Sequence, residues 1–101
     1  MRRTEPHVAC NNQIAEKTTV VEVHAADEPG LAYRIASALT AFGLDIVCAK
    51  IATEKSDALD VFYVTNFNEM KLSDHEMRLL EAELTRLLMA GSGEATTTAR
   101  P

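Results

Sequence analysis

The chain has 101 residues, 47% of them hydrophobic, and a formal net charge of −5. This length and composition allow one domain with a packed core and are too small for two. The acidic balance disfavours nucleic-acid binding, since adjacent basic residues occur only at Arg2 and Arg3. No apolar run approaches the roughly 20 residues that span a bilayer, and no leader peptide opens the chain, so we expect a soluble cytoplasmic protein.

A polar arm followed by a strand begins the chain. Residues 1–6 are expected to be disordered, because they cannot offset the entropy of ordering. A strand is predicted over residues 18–25, where Val21 and Val23 alternate with Glu22. One face of this strand therefore belongs to the core and the other to the surface.

A tight turn over residues 27–30 and an amphipathic helix come next. The helix begins near Pro29, and Gly43 follows it at the position where a left-handed cap is favoured. Its apolar stripe consists of Leu31, Ile35, Leu39 and Phe42. The backbone N–H groups and small residues at the start of this helix suit the carboxylate of a small ligand.

A hairpin and a second helix make up the rest of the pattern. Strands are predicted over residues 44–53 and 59–65, joined by the polar turn 54–57. After a loop, Ser73 and Glu76 have the spacing of a capping box and open the second helix. The apolar stripe of that helix consists of Met77, Leu80, Leu84 and Leu87 or Leu88.

The order strand-helix-strand-strand-helix predicts an α+β, ferredoxin-like fold, an antiparallel sheet with two helices on one face. The second helix is expected to end at Gly91 and residues 92–101 to form a flexible tail, so no fourth strand is available there. Residues 7–11 offer a replacement, because a hairpin with residues 18–25 places them in the fourth-strand slot. We expect a single domain, folded over residues 7–91.

Catalytic and metal-binding constellations are absent from the sequence. The three histidines and the two cysteines, Cys10 and Cys48, lack the spacing of metal ligands. No Ser/His/Asp arrangement and no Gly-rich phosphate loop occurs. Two reduced thiols are therefore expected, and Asp57 and Asp60, which flank a turn, are interpreted as structural.

Two other carboxylates have competing interpretations. Asp27 either orients the amino group of a ligand or caps the first helix by accepting its unpaired N–H groups. Asp45 either pairs with a ligand ammonium group or is a solvated residue at the start of a strand. The residues alone leave both alternatives open.

Several segments resemble the ACT domain, a small-molecule-sensing module of amino-acid-regulated proteins. They are TVVEVHA at 19–25, DEPGLAYRIA at 27–36, LDI at 44–46, AKIAT at 49–53 and DVFYVT at 60–65. The chain looks most similar to the C-terminal ACT domains of bacterial uridylyltransferase/uridylyl-removing enzymes, whose lead-in Val8 and Asn12 also match. It departs from that pattern at Glu28, where Arg is usual, and at Ala32, where a larger apolar residue is usual. It has no room for the catalytic domains.

This resemblance implies a non-catalytic regulatory module for nitrogen or amino-acid sensing. Its ligand would be a small amino acid, with glutamine the first candidate, and no metal or other cofactor is implied. ACT domains commonly join side by side as homodimers or larger assemblies, with ligands at the interface. By that likeness the site would be lined by the turn of one copy and the second strand of another, namely Asp27, Glu28, Pro29, Gly30, Leu31, Asp45, Ile46, Val47, Cys48 and Ala49.

Two alternatives stay open. One is a ligand-free interaction domain that dimerises or pairs with the ACT domains of a larger enzyme, which Glu28 and Ala32 favour because they alter the turn. The other is an acylphosphatase-type enzyme on the same fold, which would need an Arg that residues 27–31 lack. A nucleic-acid or membrane partner is not expected under any of these readings.

Overall fold

The protein folds into a four-stranded sheet and two helices. The computed structural model describes residues 5–97, with side chains through residue 90. The elements are β1 (His7–Asn11), β2 (Thr19–Ala26), α1 (Leu31–Ala41), β3 (Leu44–Glu54), β4 (Asp57–Asn66) and α2 (Asp74–Thr97). Every strand pair is antiparallel, and the architecture agrees with the predicted ferredoxin-like fold.

The N-terminal strand occupies the slot predicted for it. The strand order is β1-β2-β4-β3, and β1 pairs with β2 from His7 opposite His24 to Asn11 opposite Val20. Without β1, the backbone groups along one side of β2 would be unpaired. The side chain of Val8 in β1 is buried in the core, so this strand completes both the sheet and the packing.

Both helices pack on one face of the sheet. Alternate residues of β2 and β4 point into this layer, as strand periodicity requires. The buried helix residues are Leu31, Ile35, Leu39, Met77, Leu80 and Leu84. Phe42 and Leu88 pack partly against them, which confirms the two predicted stripes. On the opposite face, Glu22, His24 and Leu59 are exposed.

A polar network joins the link between β1 and β2 to the loop before α2. The Thr19 hydroxyl donates to Asn12 Oδ1 at 2.5 Å and accepts from the Leu72 N–H at 2.9 Å. Asn12 Nδ2 donates to the Leu72 carbonyl at 2.8 Å, and Lys71 Nζ donates to the Asn12 carbonyl at 2.7 Å. Thr19 is fully buried, so its hydroxyl satisfies the buried Leu72 N–H, which water does not reach.

The second helix begins with the predicted capping box. The Ser73 N–H donates to Glu76 Oε1 at 2.8 Å, and the Glu76 N–H donates to Ser73 Oγ at 3.1 Å. Further along α2, Glu81 Oε2 accepts the backbone N–H of Cys10 at 2.7 Å. This bond attaches β1 to the helix that packs above it.

The end of α2 differs from the prediction. The helix continues through Gly91 to Thr97, so the predicted end at Gly91 is wrong. A glycine lowers helix propensity without removing a backbone hydrogen bond, and no proline follows before Pro101. Residues 98–101 of the predicted tail and residues 1–4 of the predicted arm lie outside the described residues.

Candidate functional site

The turn between β2 and α1 has the geometry that its proline and glycine favour. The Leu31 N–H donates to the Glu28 carbonyl at 3.1 Å and closes a four-residue turn. Gly30 has φ 78° and ψ 5°, which matches the third residue of a type II turn, and Pro29 suits the second. The helix therefore begins at Leu31 with Gly30 as its N-cap, two residues later than predicted.

Asp27 does not cap this helix, so that interpretation is wrong. Capping belongs to the N-cap residue, which is Gly30, and no side chain in the described part of the chain makes a cap hydrogen bond to α1. The Asp27 N–H instead donates to the Ser56 carbonyl at 2.8 Å and ties the turn to the hairpin between β3 and β4. The N-terminus of α1 therefore has no side-chain cap among the described residues.

The charges at the turn offset each other. Glu28 stands where the resembled family usually has Arg, and Arg34 Nη1 lies 3.6 Å from Glu28 Oε1. Both side chains are partly exposed, so the pair stabilises the fold only slightly. The pair also affects the charge of the site, because the positive charge of Arg34 offsets the negative charge of Glu28 at the turn.

The five strand residues predicted to line the site lie on β3, which is an outer strand of the sheet. The exposed ones are Asp45, Val47, Cys48 and Ala49. Ile46 instead packs partly against the core. A β-bulge between Ile46 and Cys48 takes Val47 out of register. The strand thus offers side chains that a ligand or a second copy can reach.

Within one chain, the two halves of the predicted site are far apart. Residues 27–31 adjoin the hairpin where Glu54 pairs with Asp57. Asp45 lies at the other end of β3, roughly 30 Å away at the usual rise of a strand. One copy therefore does not bring residues 27–31 and 45–49 together.

The sequence did not predict that one carboxyl group near the turn, that of Asp60, is buried. Asp60 does not flank a turn; it lies inside β4 between Ala58 and Phe62, on the core face, and is 1% exposed. Its Oδ1 has no hydrogen-bond partner among the described residues. Burial raises the pKa of Asp60, a hydrogen bond from the Ala52 N–H lowers it, and the charge of Asp27 raises it. The period-2 pattern of Ala58 and Phe62 was the signal that could have revealed it.

Histidines and cysteines, whose side chains commonly hold metal ions, also occur among the described residues. His24 Nε2 lies 3.6 Å from Asp57 Oδ2 on the exposed face of the sheet, and Cys10 and Cys48 are free thiols. Within the part of the chain that the structure describes, no group of three His, Cys, Asp or Glu side chains could hold a metal ion. No helix in that part is long and apolar enough to cross a membrane.

Comparison with known proteins gives one consistent group of relatives. The chain is similar to bifunctional uridylyltransferase/uridylyl-removing enzymes, being 38% identical over 94 residues to that of Gluconobacter oxydans and 34% over 89 residues to that of Nitrobacter winogradskyi. It is 45% identical over 62 residues to that of Bradyrhizobium diazoefficiens. These matches cover 93%, 87% and 61% of this chain, but the chain spans only 10%, 10% and 7% of these curated relatives. No family model matches the chain, and no solved structure does.

Proposed function

We propose that the chain is a non-catalytic regulatory module of the ACT type that binds a small amino acid, with L-glutamine the first candidate. The relatives are named for two activities, and the matched piece is at most 10% of their length. A piece of this size has no room for two catalytic domains. A regulatory part of such an enzyme, concerned with nitrogen or amino-acid supply, accounts for the similarity.

The uncapped N-terminus of α1 is the observation that carries this proposal. The Leu31 N–H donates to the Glu28 carbonyl, but the next N–H groups of the first turn have no intrahelical partner, and the helix dipole adds partial positive charge beside them. Gly30 has no side chain to block an approaching carboxylate, and the position of its missing Cβ is open to 4 Å. The α-carboxylate of the amino acid is therefore assigned to this helix end.

A second copy of the chain supplies the other half of the site in this proposal. β3 is an outer strand with exposed apolar side chains, Val47 at 62% and Ile51 at 53%. Two copies related by a two-fold axis pair such strands antiparallel. We propose the register in which residues 45–49 of one copy lie beside residues 50–54 of the other, next to its turn. This arrangement supports a homodimer with the ligand at the interface.

A matched pair of glycines tests where the carboxylate binds. Gly30 and Gly43 stand at opposite ends of α1 with φ 78° and 90°, and a Cβ at either position meets no heavy atom within 4 Å. Asparagine tolerates this left-handed conformation better than most residues. Gly30→Asn and Gly43→Asn are therefore comparable changes, but only Gly30→Asn puts a side chain in front of the helix N-terminus.

Thermal unfolding with each of the twenty amino acids is the measurement. A ligand at 100 times its Kd stabilises the folded state by about 2.7 kcal/mol, which raises Tm by roughly 10 °C or more in a domain of this size. We expect this rise in the wild type and Gly43→Asn, largest with L-glutamine, and its loss in Gly30→Asn. No shift with any amino acid contradicts the sensor function. An equal shift in Gly30→Asn contradicts the assigned carboxylate position.

A ligand-free interaction domain is the second candidate. The Glu28 carboxylate is paired with Arg34 at 3.6 Å, so this pair offers no net positive charge to attract a ligand carboxylate to the turn. The open β3 strand would then serve only to join copies of the chain or related domains. Sedimentation showing a dimer without ligand, together with no thermal shift, favours this candidate over the sensor.

A further inference from the structure

One carboxyl group in the core has an oxygen with no hydrogen-bond partner. Asp60 is 1% exposed, and among the described residues nothing donates to its Oδ1. A buried unpaired polar atom destabilises a fold and is uncommon in native structures. A small apolar residue would avoid the penalty at this position. The Asp60 Oδ1 therefore lacks a hydrogen-bond donor, which the described residues do not supply.

The neighbours of Asp60 place it close to the exposed edge strand β3. Asp60 pairs with Val23 of β2 on one side and with Ile51 of β3 on the other. Directly opposed residues share a face of the sheet, and Ile51 on that face is 53% exposed. The carboxyl group also lies close enough to Asp27 for the two charges to interact. It is thus placed between the turn and the open edge strand.

The chemistry of this position favours a cation with several N–H donors. The Asp60 carboxyl group lies within range of the charge of Asp27, while no group of three metal ligands exists in the described chain. An ammonium group donates three hydrogen bonds and needs no further ligands. In an α-amino acid it sits one carbon from the carboxylate, which the proposed function assigns to the adjoining helix N-terminus.

We infer that Asp60, with Asp27, accepts the ammonium group of the bound amino acid, so that the site selects ligands with a free α-amino group. This inference rests on the proposed function and adds the residue that determines specificity. The amino acid is then held at both charged ends: the carboxylate at the start of α1 and the ammonium group at the two aspartates. Binding gives the Asp60 Oδ1 the donor it lacks.

The test compares L-glutamine with glutaramic acid, which is glutamine with hydrogen in place of the α-ammonium group. Calorimetric titration measures both Kd values for the wild type, Asp60→Asn, Asp27→Asn and Asp57→Asn. Asp57 is the control, because it belongs to the same strand but pairs with His24 on the exposed face. Asp27 is exposed, so Asp27→Asn provides a folded variant even if Asp60→Asn does not fold.

We expect the wild type and Asp57→Asn to prefer L-glutamine over glutaramic acid by about tenfold or more, as a charge-assisted hydrogen bond requires. Asp60→Asn and Asp27→Asn should lose most of this preference and bind glutaramic acid no more weakly than the wild type. A preference retained in both variants, or absent in the wild type, overturns the inference while amino-acid binding stands. If the wild type binds neither probe nor any other amino acid, the proposed function falls and the inference with it.

Discussion

Replacing Thr19 by valine should destabilise the domain by about 2–3 kcal/mol. The change keeps the side-chain shape and leaves no cavity, but it removes a hydroxyl that donates to Asn12 Oδ1 and accepts from the Leu72 N–H. The hydrogen bond from the Leu72 N–H to the Thr19 hydroxyl is buried. A buried donor left without a partner lowers the free energy of unfolding by about 1–3 kcal/mol. The half-buried Asn12 oxygen adds a smaller loss, of the order of 0.5–1 kcal/mol.

Urea unfolding followed by circular dichroism, at one protein concentration, measures this loss. The corresponding fall in Tm is roughly 10–20 °C for a domain of this size. Thr40→Val is the matched control, because Thr40 is exposed on α1 and surface substitutions usually change stability by less than about 0.5 kcal/mol. A loss in Thr19→Val no greater than in the control would refute the reasoning, since the hydroxyl would then be dispensable to its neighbours.

Three further predictions concern the strand β1, the thiols and the buried acid. Deleting residues 1–12 should lower the free energy of unfolding, measured in urea, by several kcal/mol, because a core strand is lost. Deleting residues 93–101 should lower it far less. Equal losses in the two variants would argue against the role of β1. Burial and the nearby negative charge of Glu81 raise the pKa of Cys10 from 9.0 to about 12. At pH 8 the Cys10 thiolate is therefore about a thousandfold rarer than the thiolate of an unshifted cysteine. Alkylation at pH 8 followed by peptide mapping should find Cys48 labelled before Cys10. The folded-state pKa of Asp60 is raised above its usual 3.8, so the folded state holds that proton longer than the unfolded state and stability falls as pH rises from 3.8 through the raised pKa. Asp60→Asn should remove that fall, and an unchanged pH profile would contradict it.

Local spacing was enough to predict the parts of the fold that depend on neighbouring residues. Ser73 and Glu76 form the capping box because it needs only a fixed separation along the chain. The slot of β1 was also predictable, because the alternating residues 7–11 stand beside a strand that lacked a neighbour. In both cases the unpaired backbone groups of a helix end or a strand edge find their partners within a short stretch of sequence.

Two features near the turn were interpreted wrongly from the sequence. Asp27 looked like a helix cap, but the type II turn makes Gly30 the N-cap and directs the Asp27 N–H to Ser56 in the hairpin. Asp60 lies on the buried side of β4, where the usual cost of burying a carboxylate argues against placing it. The sequence therefore predicted an Asp60 that flanks a turn, whereas the structure buries its carboxyl group in the core.

The position of β1 also has a kinetic consequence. In a ferredoxin-like fold whose fourth strand comes last, the partner of β2 arrives only after the chain has closed a loop roughly ten times longer than the link between β1 and β2. Loop closure entropy rises by about 0.6 kcal/mol for each doubling of length, so the short link lowers the cost of this pairing by about 2 kcal/mol. Because contacts between near neighbours form fastest, β1 and β2 can meet as a local hairpin early in folding. During synthesis, both strands emerge before either helix is complete.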